Sequence, residues 1–494
     1  MKLNDTELSS ELINIVGEEW VSSDPEIVYA YSRDGSIFPE DLDSVLRPPF
    51  YAVLPGTTEE LQKIMAIAKK FDAPITIQAT GLNICGSSVP LRGGILVDVK
   101  RMDKVIEIDE QNCTATVQPY VSIGRLSAEL KKRGMYMPIP GCPSTVSVIS
   151  NWVFGLGLKV ANRVGQQYES LVGLQMLLPS GDQIRLGSRS DPIIQKDIWP
   201  YGPGPNMHFL PMWSMGSTGI VTEMTIKCWH MGENYKELWV SYENVDKCYE
   251  AFAEMSRMDI GKGINVYAGS KYAYFTDTRE SVERMVRANP EFQIIVSMDG
   301  TERRIKYEEG LIREVAEKTG GSIITDKFEP YESFVDSHTG MSGGFSSEYS
   351  MKYWGARGVD WTVFSTTPPE SMADQYKAFT EAVLADPEYG DPDFGHGEFW
   401  RSCIGYSYSG GHYWLQENGF DCHPGDPKWQ ELTLRMSKTF PAHAGKKRVL
   451  LGPPVKYPRT GAPSFGSALY QVTKKIAMRL DPEGYMNGGI LFRY

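Results

Sequence analysis

Three short stretches of small and hydroxyl-bearing residues hold most of the chemistry that this chain can offer. The first is Thr80-Gly81-Leu82-Asn83-Ile84-Cys85-Gly86-Ser87-Ser88, directly after a strand-like run. Its residues leave main-chain N–H groups open to a diphosphate, with little side-chain bulk in the way. It is neither a Walker loop nor a G-x-G-x-x-G turn that opens a helix. The second runs from Pro138 to Asn151 and sets Cys142 beside Ser144, Thr145 and Ser147. A thiol in such a place acts as nucleophile or base once its pKa is lowered, and otherwise as a small buried hydrophobe. The third, Trp213 to Ile226, is a turn holding Gly216 and Gly219 that feeds a strand through Ile220 and Val221. Near the end, Lys446-Lys447-Arg448 offers either cations for an anionic oxygen or a solvated charge run. His412 sits among Tyr406, Tyr408, Tyr413 and Trp414, where a packed core histidine is the plain alternative to a reactive one.

The elements that must position these residues are readable in outline. An apolar stripe (Leu8, Leu12, Ile13, Ile15, Val16) predicts an opening helix. Tyr51–Pro55, a helix capped by Thr57, and Ala73–Gln78 make a strand–helix–strand unit that delivers the chain to Gly81. Strands are predicted at 94–99, 105–109, 113–118, 174–178, 183–186 and 220–226, with a helix over 121–133. Residues 233–444 alternate strand-like runs (237–240, 293–298) with charged helices (280–287, 307–319) and many aromatics. The tail reads as a strand at 448–451, a helix at 465–479 and a closing turn, Asp481-Pro482-Glu483-Gly484.

Composition narrows the classes. The 494 residues are 41% hydrophobic and 23% charged, enough for a large core and unlike a disordered chain. No apolar run approaches the ~18 residues of a spanning helix, and Met1–Glu7 lacks a signal-like apolar core. A formal charge of −12 argues against a nucleic acid partner. Seven scattered cysteines without a C-x-x-C pair suit a reducing cytoplasm better than a disulfide framework.

Taken in order, the three stretches and the closing Asp481–Asn487 resemble flavoproteins of the vanillyl-alcohol oxidase and p-cresol methylhydroxylase family. Gly94–Val105 and Tyr201-Gly202-Pro203-Gly204-Pro205 add to the likeness. The resemblance implies an α+β fold: a two-lobed FAD-binding domain of the p-cresol methylhydroxylase type with an inserted α+β cap domain. The boundaries expected are 1–232 for the FAD domain (helical entry 1–50, flavin-binding core 51–232), 233–444 for the cap and 445–494 for the return. FAD is the implied cofactor. Thr80, Gly81, Leu82, Asn83, Ile84, Cys85, Gly86 and Ser87 would cradle its diphosphate. Cys142, Ser144, Thr145, Ser147 and Asn151 would lie along the flavin ring, and Gly216, Gly219, Ile220 and Val221 against the adenosine part.

Departures from the family pattern shape the functional expectation. The two tyrosines that hold phenolate in the phenol-oxidising branch fall at Gly86 and Lys447, while the arginine is kept as Arg448. Gly141-Cys142-Pro143-Ser144 resembles the motif of a related branch whose cysteine is bonded to the flavin, so Cys142 is expected at the flavin edge. His412, or Tyr406 or Tyr408, is the candidate for a tether from the cap. The expected catalytic residues are Cys142, Arg448, Lys447 and Tyr408, with Trp361 and Trp414 lining the cavity. His396, Cys403, Asp421, Cys422 and His423 offer a zinc set in principle, but the accompanying family motif is incomplete and no metal is expected. The expected activity is hydride removal from a para-substituted phenol or aromatic alcohol. The alternatives are a flavin-dependent 2-hydroxyacid dehydrogenase and an electron-transfer subunit without its own substrate. A small-molecule substrate, an external electron acceptor protein and a cytoplasmic homodimer complete the expectation.

Overall fold

The computed structural model describes residues 5–32, 34, 49–83, 86–138, 140, 142, 144–155, 160–201, 204–269, 290–325, 359–367, 369–385, 401–422, 431, 435 and 467–487. The chain opens with α1 (Asp5–Val16), β1 (Val21–Ser22), α2 (Pro25–Ala30) and β2 (Tyr51–Val53). Then come α3 (Thr58–Lys70), β3 (Ile75–Gln78) and β4 (Ile95–Asp98). Thr57 caps α3 by accepting the Glu60 amide, as its residue type and place predict. Leu61, Ile64, Met65 and Ala68 of α3 are buried in one core with Leu8 and Leu12 of α1. The sheet order is β1-β2-β4-β3, and β2, β4 and β3 run parallel. Both faces of such strands are covered, which explains the unbroken apolar run in β4.

A second sheet follows. It is built from β5 (Val105–Asp109), β6 (Thr114–Val117), β8 (Leu171–Leu177), β9 (Gln183–Gly187) and β10 (Ile220–Lys227). Its antiparallel order is β5-β6-β10-β8-β9. Between β6 and β8 lie α4 (Ile123–Lys131), β7 (Met135–Tyr136) and α5 (Val148–Phe154). β7 pairs with β11 (Trp229–His230). β8 begins at Leu171, three residues earlier than the sequence suggested, because the residues there are buried without alternation.

The third sheet carries the order β15-β12-β14-β13-β17-β18-β16 among the described residues. Its strands are β12 (Asn234–Tyr242), β13 (Gly263–Gly269), β14 (Phe292–Gly300), β15 (Ser322–Ile323), β16 (Val359–Thr367), β17 (Arg401–Tyr408) and β18 (Tyr413–Cys422). Helices α6 (Val245–Arg257), α7 (Glu302–Thr319) and α8 (Met372–Leu384) share one core with Val240, Ile294 and Val266 of this sheet. On the opposite face, Trp239, Ile295, Asn265, Tyr406 and Leu415 stand in register across five strands, and all are buried. α7 starts at Glu302 behind the cap residue Thr301, five residues before the sequence reading placed it. The helix expected at 280–287 and the strand expected at 448–451 lie outside the described residues.

The sheets meet at Asn162, which is 1% exposed. Its backbone N–H donates to Lys262 O (3.1 Å), and its backbone oxygen accepts from Gly410 N (2.6 Å). Its side chain donates to Ile260 O (3.2 Å) and accepts from the Ser407 hydroxyl (2.7 Å). The tail returns to the first sheet through α9 (Ser467–Leu480). The Asp481 carboxylate then accepts the amides of Tyr485 (3.3 Å) and Met486 (2.8 Å), which turns the chain. Ile75 N donates to Tyr485 O (2.7 Å) and Asn487 N to Ile75 O (2.8 Å), so the tail lies parallel to β3 on its free edge.

Candidate functional site

An open cleft of about 1160 Å³ lies where the first two sheets and the tail converge. Its floor is the segment leaving β3, Ile77 to Asn83 with Ser87 and Ser88. Gly81 has φ +71 and Gly86 φ +72, so the loop turns through conformations that favour glycine. Asn83 braces the loop by donating its side-chain amide to the Ser87 hydroxyl.

The second wall is α5 and the residue before it. Ser147 caps α5 by accepting the Ser150 amide (3.1 Å) and donates its own hydroxyl to Pro119 O (2.6 Å). Its backbone N–H donates to the Thr80 hydroxyl (3.3 Å), which ties the second stretch to the first. Ile149, Ser150, Asn151, Val153 and Phe154 face the cleft. Asn151 is held from both ends, accepting from Gln167 (2.9 Å) and donating to the Cys142 sulfur (3.4 Å).

The third wall is Pro211, Ser214, Met215, Gly216, Gly219, Ile220 and Val221. Trp213 (φ +55), Met215 (φ +51), Gly216 (φ +76) and Gly219 (φ +136) all occupy left-handed backbone. Two non-glycine residues held there mark a loop whose shape is imposed by its surroundings. Trp213 donates its amide to Val153 O (3.1 Å), and its ring meets Phe154 edge-on at 5.9 Å.

Ten residues expected at the cofactor line this one cleft: Thr80, Gly81, Leu82, Asn83, Ser87, Asn151, Gly216, Gly219, Ile220 and Val221. Gly86 and Ser147 are buried behind the lining, and Cys142 is half-buried against the second sheet's core. The Ser144 carbonyl accepts from the Gly124 amide (2.8 Å), and Thr145 is exposed. His412 is exposed in the turn between β17 and β18, with its amide on Tyr408 O (3.2 Å). Tyr408 is fully buried and stacks on Tyr413 at 5.2 Å. Trp414 and Cys403 pack on the helix side of the third sheet, Cys403 against the Tyr249 hydroxyl (3.5 Å). Ile84, Cys85, His396, His423, Lys447 and Arg448 lie outside the described residues, as do the side chains of Trp361, Asp421 and Cys422. Among the described residues no group of three or more His, Cys, Asp or Glu is placed to hold a metal.

The sequence reading missed Gln78, Phe154, Ser214, Met215 and Asn487, all on the cleft wall. Only their adjacency to the glycine-rich stretches and to the closing turn could have signalled them. No charged side chain stands among the described lining residues. Apolar side chains such as Ile77, Leu82, Ile149, Phe154 and Met215 cover most of the lining, and its polar groups are hydroxyls, amides and main-chain atoms. The polar groups suit a diphosphate, and the apolar walls suit planar rings. A side chain at Gly219 would strike the Leu177 carbonyl oxygen, so the third wall packs there as closely on β8 as the backbone allows. These residues fit FAD.

Comparisons with known proteins agree. Residues 49–187 match the family model described as FAD binding domain. Glycolate oxidase subunit GlcD of Bacillus subtilis is 31% identical over 212 residues, 42% of this chain and 43% of that protein. The solved structure of p-cresol methylhydroxylase with substrate bound has a TM-score of 0.81 at 16% identity, covering 100% of this chain and 98% of the other. 4-Ethylphenol oxidase from Gulosibacter chungangensis has a TM-score of 0.82 at 18% identity, covering 98% and 96%. The match spans less than half the length of this GlcD subunit and of two other curated relatives. The fold is that of a flavoprotein. The chain carries the FAD-binding domain of the p-cresol methylhydroxylase type, with FAD as its cofactor. No helix among the described residues is long and apolar enough to cross a membrane.

Proposed function

We propose that this chain is an FAD-dependent oxidoreductase that removes a hydride from a para-substituted phenol or an aromatic alcohol. The observation that carries the cofactor half of this reading is the uncharged, glycine-floored cleft shared by three stretches distant in sequence. Likeness to two phenol-acting enzymes along nearly the whole chain, cap included, supports the substrate half. Bound FAD would supply the two-electron acceptor. The protein's own contribution is to hold and orient. Thr80 to Ser87 and Gly216 to Val221 would grip the cofactor's polar and adenosine parts. Cys142, set by the Asn151 amide, would border the ring, and Tyr408 would stand in the cap. Lys447 and Arg448 would hold the substrate's anionic oxygen and favour its deprotonated form. Residues 1–232 with 445–494 would form the FAD domain, and 233–444 the cap.

A second reading is supported by the 31% identity to a glycolate oxidase subunit. There Lys447 and Arg448 would pair with the carboxylate of a 2-hydroxy acid. Anaerobic stopped-flow mixing with a panel of para-substituted phenols and a panel of 2-hydroxy acids separates the two. Bleaching of the flavin band by phenols is expected. Bleaching by hydroxy acids alone transfers the assignment to the second reading, and bleaching by neither overturns both. An external electron acceptor protein and a homodimeric assembly belong to the same proposal.

A further inference from the structure

We propose that Asn487 is the positioning residue that holds the cofactor cleft in its FAD-binding shape; this rests on reading the cleft as the FAD site. The Asn487 side chain is 6% exposed and bonded in three directions. Its amide nitrogen donates to Met215 O (2.6 Å) in the third stretch and to Ser87 O (3.1 Å) in the first. Its amide oxygen accepts from Ile77 N (3.1 Å) at the end of β3. One carboxamide thus joins the tail to the end of β3, the first stretch and the third stretch, and it lines the cleft itself.

The match is specific to asparagine. Two carbonyl acceptors and one N–H donor surround the group, which fixes the orientation of the amide. Aspartate has the same shape but cannot donate, and would set a carboxylate against two carbonyl oxygens. Backbone φ at this position is +44, a conformation that asparagine tolerates far better than most residues. Gly216 makes room for it, since a Cβ there would lie 2.7 Å from the Asn487 amide nitrogen. Without the clamp the first and third stretches would sample other arrangements, and FAD would bind only the fraction still correctly shaped.

Two variants test this. N487D keeps the acceptor for Ile77 and loses both donations. N487G removes all three bonds and suits the positive φ. Full-length protein prepared without flavin is titrated with FAD and followed by flavin fluorescence, with far-ultraviolet circular dichroism as the check on folding. Both variants are expected to raise the FAD dissociation constant at least ~10-fold, by analogy with losing about two net hydrogen bonds. Amide exchange at Ile77 is expected to speed up in N487G and to stay near wild type in N487D. Dissociation constants within about twofold of wild type overturn the proposal. So does failure of both variants to fold, which would make the residue structural rather than positioning. A wild-type chain that takes up no FAD instead overturns the cofactor reading, and this inference with it.

Discussion

Replacing Gly219 by alanine tests whether the third wall of the cleft is held at its limit of close approach to β8. Gly219 has φ +136 and stands just before Ile220, which pairs with Leu177 of β8. An added Cβ would strike the Leu177 carbonyl oxygen, 3.2 Å from the Leu177 carbonyl carbon and 2.9 Å from the Met176 methyl. Two costs follow. Holding an L-residue in that backbone region costs about 1–3 kcal/mol. Crowding against a backbone that is itself in a central ladder costs about 1–3 kcal/mol more. Gly181 supplies the control, because it has φ +91 but open space where its Cβ would go. Gly181→Ala therefore bears the backbone cost alone. The difference between the two variants, about 1–3 kcal/mol, is a roughly 5- to 150-fold change in local opening. Hydrogen exchange of the β8 and β10 amides in flavin-free protein reads it directly. G219A should also weaken FAD binding, and G181A should not. Equal exchange and equal FAD affinity in the two variants would refute the close-approach argument.

Other consequences follow from the same geometry. Asn162→Ala leaves the Ser407 hydroxyl and the Ile260 carbonyl without a partner in a buried junction. At about 1–3 kcal/mol for each orphaned group, it should cost about 2–6 kcal/mol and speed amide exchange at residues 407–413 before other parts of the third sheet. The Lys196 ammonium, with help from Asn112, holds the Asp109 carboxyl well below the usual carboxylate range. Its contribution is then complete above the unfolded value of ~3.9 and is lost as pH falls through the lower folded value. The stability gap between wild type and Asp109→Asn should therefore narrow below about pH 4 in acid titrations. With no charged side chain among the described cleft-lining residues, the FAD dissociation constant should change less than ~3-fold between about 0.05 and 0.5 M salt. A steep salt dependence would point to an ionic grip on the diphosphate.

Gly81, Gly216 and Gly219 were legible because each follows or feeds a strand and takes up a backbone shape that few other residues accept. The strand–helix–strand unit before Gly81 was legible for a similar reason, its cap, stripe and apolar strands all agreeing. The third sheet was mostly hidden. In β18, Gln416 and Asn418 are fully buried beneath the helices while Leu415 and Glu417 are buried on the other face. Without alternation between apolar and polar residues, the strand gives no period to read. Asn487 was hidden for another reason. Its partners are 272 to 410 residues away, and nothing local distinguishes it from any asparagine in a turn. Cys142 was singled out by its neighbours Gly141 and Pro143, and its sulfur does meet Asn151 of the cleft wall.

The docking of Tyr485–Asn487 beside β3 has a consequence for biosynthesis. Among the described residues β3 is the last strand of its sheet, and the tail is what pairs with its outer row of amides and carbonyls. During translation the first lobe must wait, with that border unpaired, while some 400 further residues are made. On the role proposed for Asn487, cofactor uptake would follow the arrival of the tail. In that interval the naked border is where a nascent chain is most prone to join a neighbour, and where a chaperone would be needed most.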